Sequence, residues 1–157
     1  MRLHHRRAHE PRLPFGCPRS PDRSRVPVRT PTRTLAANGT IDTFVGRTPA
    51  GFNGDGWHRL NTSLASPNAM AWDPGFWGLV IADTGNYRIR RVPPGSNVVS
   101  TIMGNGTAVY GGDGPAPHTR GMGLPRHVAF DSRAWLYVVE SDSHAIRIIF
   151  QNFSVVP

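Results

Sequence analysis

The sequence predicts an all-β chain built from repeated four-stranded antiparallel units and preceded by a disordered tail. Three observations carry this expectation. A stretch of the chain recurs about 58 residues later. The recurring region is cut into short β-type runs by Gly, Asn, Asp and Pro. The first 34 residues share neither feature and differ sharply in charge.

The repeat is read residue by residue. The first copy has T-F-V-G from Thr43, G-D-G from Gly54, and P-N-A-M-A-W-D from Pro67 to Asp73. The second has T-I-M-G from Thr101, G-D-G from Gly112, and P-R-H-V-A-F-D from Pro125 to Asp131. Past Asp73 the offset falls to 57, where L-V-I-A-D-T-G-N-Y-R-I-R (Leu79 to Arg90) aligns with L-Y-V-V-E-S-D-S-H-A-I-R (Leu136 to Arg147). Self-similarity at a fixed period means one supersecondary unit used more than once.

Residues 1–37 form the tail. Nine Arg stand against Glu10 and Asp22 in residues 1–34, whereas residues 35–157 hold nine Arg against seven Asp and Glu140. The net charge of +8 is therefore mostly a property of the tail. Pro11, Pro14, Pro18, Pro21, Pro27 and Pro31 interrupt any helix there, and apolar residues are too few for a core. Cys17 is the single cysteine, which excludes an internal disulfide framework and a cysteine metal cluster. No apolar run approaches the ~20 residues of a membrane span, and the first arginines are not followed by the apolar region of a signal peptide.

Residues 38–157 form the repeat region. Strands are expected near 40–45, 69–73, 78–83, 87–92, 97–103, 127–131, 135–140, 144–150 and 153–156. Val80, Ile81, Ile89, Val92, Val138 and Val139 give these runs their β-branched character. The turns carry the expected residues: D-P-G from Asp73, D-T-G-N from Asp83, P-P-G-S-N from Pro93. Four strands per repeat favour a β-propeller. The expected architecture is a partial propeller with two four-stranded antiparallel blades, about 69–103 and about 127–156, plus one leading strand at 40–45 that stands alone.

The motifs then carry a resemblance. The G-D-G at Gly54, Pro67, the A-W-D ending at Asp73, and I-A-D-T-G-N-Y-R-I-R from Ile81 to Arg90 together resemble the NHL repeat, in its sub-type with long G-D-G loops. The resemblance covers residues 39–156. The second copy departs from the pattern at E-S-D-S-H-A from Glu140, so its turn is expected to be looser; the first departs at W-H-R-L from Trp57. The resemblance implies a ring of about six blades, which at this period needs about 350 residues. This chain supplies about two, so it is expected to be a fragment of a longer propeller or to close a ring by self-assembly. Open blade faces leave several apolar side chains exposed, each worth ~1.5–3 kcal/mol when buried.

Strand direction alternates within a blade, so the connections 46–68 and 104–126 emerge on the same face as the turns 83–87 and 140–144. That face carries Phe52, Asp55, Trp57, Asp83, Asn86, Tyr110 and Asp113, the candidate partner-binding face. Phe52 and Tyr110 read equally as plugs over their loops. Asp55 and Asp113, each between glycines, read as turn-pinning carboxylates that accept backbone N–H bonds; a single carboxylate per loop is thin for Ca²⁺. Asp83 and Asn86 read as turn-forming side chains. Arg88 and Arg90 share a strand face and need a partner such as Asp83 or Asp73.

No catalytic motif stands out: G-x-S-x-G, H-E-x-x-H and phosphate loops are missing from the sequence, and no cofactor is implied. Asp142, Ser143 and His144 are neighbours in one turn, not a convergent triad. The expected function is a non-enzymatic protein-interaction scaffold. Two alternatives stand beside it: RNA binding through the propeller face helped by the Arg-rich tail, whose affinity would fall steeply with salt, and a lyase- or hydrolase-type propeller using His58, His118 or His127. Four N-x-S/T triplets, at Asn38, Asn61, Asn105 and Asn152, lean towards an extracellular setting.

Overall fold

A computed structural model describes residues 39–114 and 117–150, together with the backbone of two further strands at 26–28 and 32–35. The fold is all-β, with three antiparallel sheets in chain order. The first holds β1 (Val26–Val28), β2 (Thr32–Leu35) and β3 (Ile41–Val45). The second holds β4 (Ala69–Asp73), β5 (Gly78–Asp83), β6 (Arg88–Val92) and β7 (Ser100–Met103), paired in that order. The third holds β8 (Pro125–Phe130), β9 (Leu136–Glu140) and β10 (Ala145–Ile149). The last two are the expected blades of a partial propeller.

The leading strand differs from expectation. It does not stand alone: β3 pairs with β2, and β2 with β1. The tail expected over 1–37 therefore contains two strands where local composition argued for none. The physical reason is a tertiary partner, since β3 offers an edge that the tail sequence does not advertise. Pro27 sits in β1, the outermost strand of its sheet, where a missing N–H costs least. The rest of the tail and the strand expected at 153–156 lie outside the described residues.

β5 explains why its residues form a strand. All six of its residues are buried, because it is an interior strand covered on both faces, which suits a continuous G-L-V-I-A-D run. Leu79 and Ile81 point to a cluster with Val45, Leu64, Val92 and Val99. Val80 and Ala82 point to the opposite cluster, with Trp77, Ile89, Met103, Met122, Val128, Leu136 and Val138. The second cluster is the interface between the two blades. Both clusters repeat the same logic, for Val45 and Met103 occupy equivalent positions, as do Leu64 and Met122.

The hairpins are set by their aspartates. Asp73 accepts N–H bonds from Gly75 (3.3 Å), Phe76 (2.9 Å) and Trp77 (2.8 Å). Its counterpart Asp131 accepts from Arg133 and Trp135, both at 2.9 Å. Gly78 follows at φ +69°, and a Cβ there would lie 2.1 Å from the Val92 carbonyl, so only glycine fits. The β5–β6 and β9–β10 turns close alike. Tyr87 and His144 both take φ 51° and bond back three residues, to Thr84 (3.1 Å) and Ser141 (3.3 Å). The second turn, expected to be looser, takes the same form. No helix among the described residues is long and apolar enough to cross a membrane.

Candidate binding face

Each blade holds an equivalent Arg on its third strand, Arg90 and Arg147, and each G-D-G loop folds down onto it. In the first unit Arg90 lies opposite Ile81, fully buried. Its Nη2 donates to Asp55 Oδ1 (2.9 Å) and to the Gly54 carbonyl (3.0 Å). Its Nη1 is 3.5 Å from Asp83 Oδ2, an ion pair with both side chains out of solvent. In the second unit the same positions recur. Arg147 Nε lies 3.2 Å from Asp113 Oδ1, its Nη1 donates to Glu140 Oε1 (3.2 Å), and its Nη2 donates to the Gly112 carbonyl (2.6 Å). The offset between partners is the repeat itself: 55 with 113, 83 with 140, 90 with 147.

The strand-end carboxylate also ties down the far end of the loop. Asp83 Oδ1 accepts from the Ala65 N–H and Oδ2 from Asn86 Nδ2, both at 2.8 Å. Glu140 Oε2 accepts from the Gly123 N–H (2.8 Å) and from Ser143 Oγ (3.2 Å). Asn86 Nδ2 reaches the Gly51 carbonyl as well, at 2.8 Å. Burial pushes the Asp83 carboxyl up from its ordinary range; the hydrogen bonds from Asn86 and Ala65 and the charge of Arg90 act the other way.

An aromatic ring completes each cluster. The Arg88 guanidinium stacks 3.7 Å from the Phe52 ring centroid, and Arg90 lies 4.9 Å from it. Arg147 lies 5.3 Å from the Tyr110 ring, and Tyr110 donates to Asp113 Oδ2 (3.1 Å). That hydrogen bond is the main reason the Tyr110 hydroxyl is raised. Arg88 has no counterpart in the second unit, where the position is Ala145. It donates to the Asn86 carbonyl (3.0 Å) and to the Asn105 carbonyl (2.6 Å), so it links the first cluster to the start of the second loop. Burial lowers its pKa first, and the nearby Arg90 charge adds to that.

The structure thus gathers Phe52, Asp55, Asp83 and Asn86 into one cluster and Tyr110 and Asp113 into a second. Trp57 joins neither. Its main chain pairs with Val99, with the Val99 N–H donating to the Trp57 carbonyl (3.0 Å), and its indole donates to the Asn53 carbonyl (2.8 Å). It sits on the rim beside the start of β7. Asp83 and Asn86 are buried, where their hydrogen bonds hold the loop. Phe52 and Tyr110 remain 40% and 49% exposed beside their arginine cations. Asp55 accepts from Arg90 and from Thr101 Oγ1 (2.9 Å), which replaces the backbone N–H partners expected from its glycine neighbours.

Sequence reading missed the linking role of Arg88 and the way Arg90 and Arg147 seat the loops. For the two arginines the signal was available, because Asp55 with Asp113 and Arg90 with Arg147 recur at the repeat offset. Of the histidines considered, His58 caps its own short turn, accepting the Leu60 N–H at 3.3 Å. No three His, Cys, Asp or Glu side chains gather as a metal site among the described residues.

No known protein family and no curated protein matches the chain. Solved structures do. One is a protein of unknown function from Bacteroides thetaiotaomicron, 25% identical, with a TM-score of 0.64 over 74% of this chain and 28% of that one. Another is an auxiliary nutrient binding protein from the same organism, 21% identical, with a TM-score of 0.59 over 75% of this chain and 31% of that one. The chain spans less than a third of each. These likenesses establish what the fold is shared with.

Proposed function

We propose that this chain is an NHL-type propeller segment that works as a non-enzymatic protein-interaction scaffold, binding through the face that bears the two G-D-G loops. The observation that supports this most is the pair of half-exposed rings, Phe52 beside the buried Arg90 and Tyr110 beside the partly buried Arg147. An aromatic ring held rigid before binding loses little entropy on contact and covers much area. The exposed carboxylates of Asp55 and Asp113 border the rings, so the face suits a partner segment with apolar and basic side chains. The buried Asp83 and Asn86 support the loop from below. Trp57 belongs to the rim of the same unit rather than to the contact.

Selection of a displayed random-peptide library on the full chain tests this. Enriched peptides should share apolar and basic residues and lose binding to a Phe52→Ala, Tyr110→Ala double variant. No enrichment, or enrichment indifferent to that variant, would sink the proposal. A parallel arm offers single-stranded RNA at low salt. Retention that depends on residues 1–34 would replace protein recognition by nucleic-acid binding.

A further inference from the structure

Asparagine followed by glycine is chemically fragile, because a thermolabile amide stands next to a backbone nitrogen that no side chain shields. The chain has three such pairs: Asn38–Gly39, Asn53–Gly54 and Asn105–Gly106. Asn38 lies outside the described residues. The other two fall in the two G-D-G connections, and their side chains are held in opposite ways. Asn53 reaches across its own loop. Its Oδ1 accepts the Ser63 N–H and its Nδ2 donates to the Asn61 carbonyl, both at 2.8 Å. Those partners lie ten and eight residues on, so the amide is committed across the loop rather than to the residues that follow it.

Asn105 instead folds forward over its own main chain. Its Oδ1 accepts from the Thr107 N–H (3.0 Å) and from the Thr107 hydroxyl (2.6 Å). A side-chain oxygen bonded to the N–H two residues on closes a turn around the peptide between them, here the one that carries the Gly106 nitrogen. Gly106 takes φ +93°, and a Cβ there would lie 2.3 Å from Arg88 Nη1, so the position holds glycine. Asn105 is exposed, so water reaches it. Its Nδ2 donates to the Thr119 carbonyl at 3.1 Å.

We propose that Asn105 is a site of spontaneous covalent modification, converting to aspartate and isoaspartate in the folded chain. The Gly106 nitrogen attacks Asn105 Cγ and gives up its proton. The Cγ–Nδ2 bond breaks, ammonia leaves, and a cyclic imide remains. Water then opens the ring at either carbonyl, leaving aspartate or isoaspartate. The oxygen that gains negative charge during the attack is Oδ1, which already faces two donors of Thr107, the arrangement of an oxyanion hole. The product acts on the candidate binding face. The Asn105 carbonyl receives Arg88 Nη2 and so ties the first cluster to the second loop. Isoaspartate adds one methylene to the main chain at that point and replaces the amide that held Thr119, so the tie is broken.

Peptide mapping of the full chain, aged at mildly alkaline pH both folded in buffer and unfolded in urea, tests this. Trypsin separates the two sites, with Asn53 in the peptide 48–59 and Asn105 in the peptide 92–120. Mass spectrometry reads the change of amide to acid and tells isoaspartate from aspartate. In the folded chain Asn105 should convert about tenfold faster than Asn53, whose two hydrogen bonds across its loop must break first. In urea the two rates should converge. Equal rates in the folded chain, or faster conversion at Asn53, overturn the proposal. An Asn105 that stays intact in the folded chain and converts in urea overturns it too. So does a gap that persists in urea, which would place its cause in the local sequence rather than in the fold.

Discussion

Arg90 and Arg147 occupy the same place in successive units, yet their guanidinium groups are satisfied differently. All three nitrogens of Arg147 lie within 3.2 Å of an oxygen. Arg90 is more deeply buried, but its Nε and Nη1 have no hydrogen-bond partner. The cause is the length of the facing acid. Asp83 commits one oxygen to Ala65 and the other to Asn86, and stays 3.5 Å from the arginine. Glu140, one methylene longer, serves both the loop N–H and Ser143 with Oε2, which frees Oε1 for Arg147. The first unit compensates from outside the pair, with Arg88 stacked on Phe52 and bonded to the next loop. A repeat can thus keep its geometry while redistributing its polar bonds.

The largest test of this contrast is removal of each arginine. Arg90→Met leaves Asp83 buried without its cation and should cost about 3–5 kcal/mol of unfolding free energy. Arg147→Met likewise strips the buried Glu140 of its cation, but Arg147 is itself less deeply buried than Arg90 and its other acid, Asp113, lies in solvent, so the loss should be smaller, about 2–4 kcal/mol. Urea unfolding of both variants decides it, and equal losses would abolish the distinction. Next comes a pair of glycines at equivalent positions. A Cβ on Gly104 would lie 2.2 Å from the Tyr87 carbonyl, whereas one on Gly46 meets nothing nearer than 3.6 Å. Both have positive φ, so Gly104→Ala should destabilise by about 1–3 kcal/mol more than Gly46→Ala. Matching melting temperatures would contradict the close approach.

A smaller effect is expected from exchanging the acids. Asp83→Glu should bring an oxygen to Arg90 Nη1 and add about 0.5–1.5 kcal/mol, while Glu140→Asp should lose a similar amount. If Asp83→Glu destabilises, the bonds to Ala65 and Asn86 outweigh the arginine. The smallest effect is in pH dependence. Burial raises the folded-state Asp83 pKa above 3.8, so folding takes up a proton between the two values. The contribution of Asp83 to stability therefore grows as pH falls through its folded pKa and is complete below 3.8. Asp83→Asn should remove that increment, seen as a changed slope of unfolding free energy against pH. Superimposable slopes would remove Asp83 from the account.

The blades were legible because their signals are local. Strands expected at 69–73 and 78–83 appear as Ala69–Asp73 and Gly78–Asp83, set by apolar runs and by aspartates that cap their own hairpins. β1 and β2 were not legible, because Pro and Arg argue against a strand until a neighbouring edge is supplied. Among the candidate site residues, Phe52 and Tyr110 were placed on the loop face by strand parity alone. The partner of Asp55 was missed because Arg90 lies 35 residues away and Thr101 lies 46 away, distances that no turn rule spans. The position of Trp57 was not legible, because the long-range pairing of its main chain with Val99 has no sequence mark.

The drop in repeat offset from 58 to 57 falls in the β4–β5 hairpin, which is one residue longer than its counterpart. Trp77 sits in that hairpin, and its indole Nε1 donates to the Ala134 carbonyl of the following hairpin at 2.8 Å, beside Phe130. The two units are therefore not interchangeable parts. The bolt between them lies in the hairpins rather than in the strands, and a change confined to Trp77 would keep every strand yet loosen it.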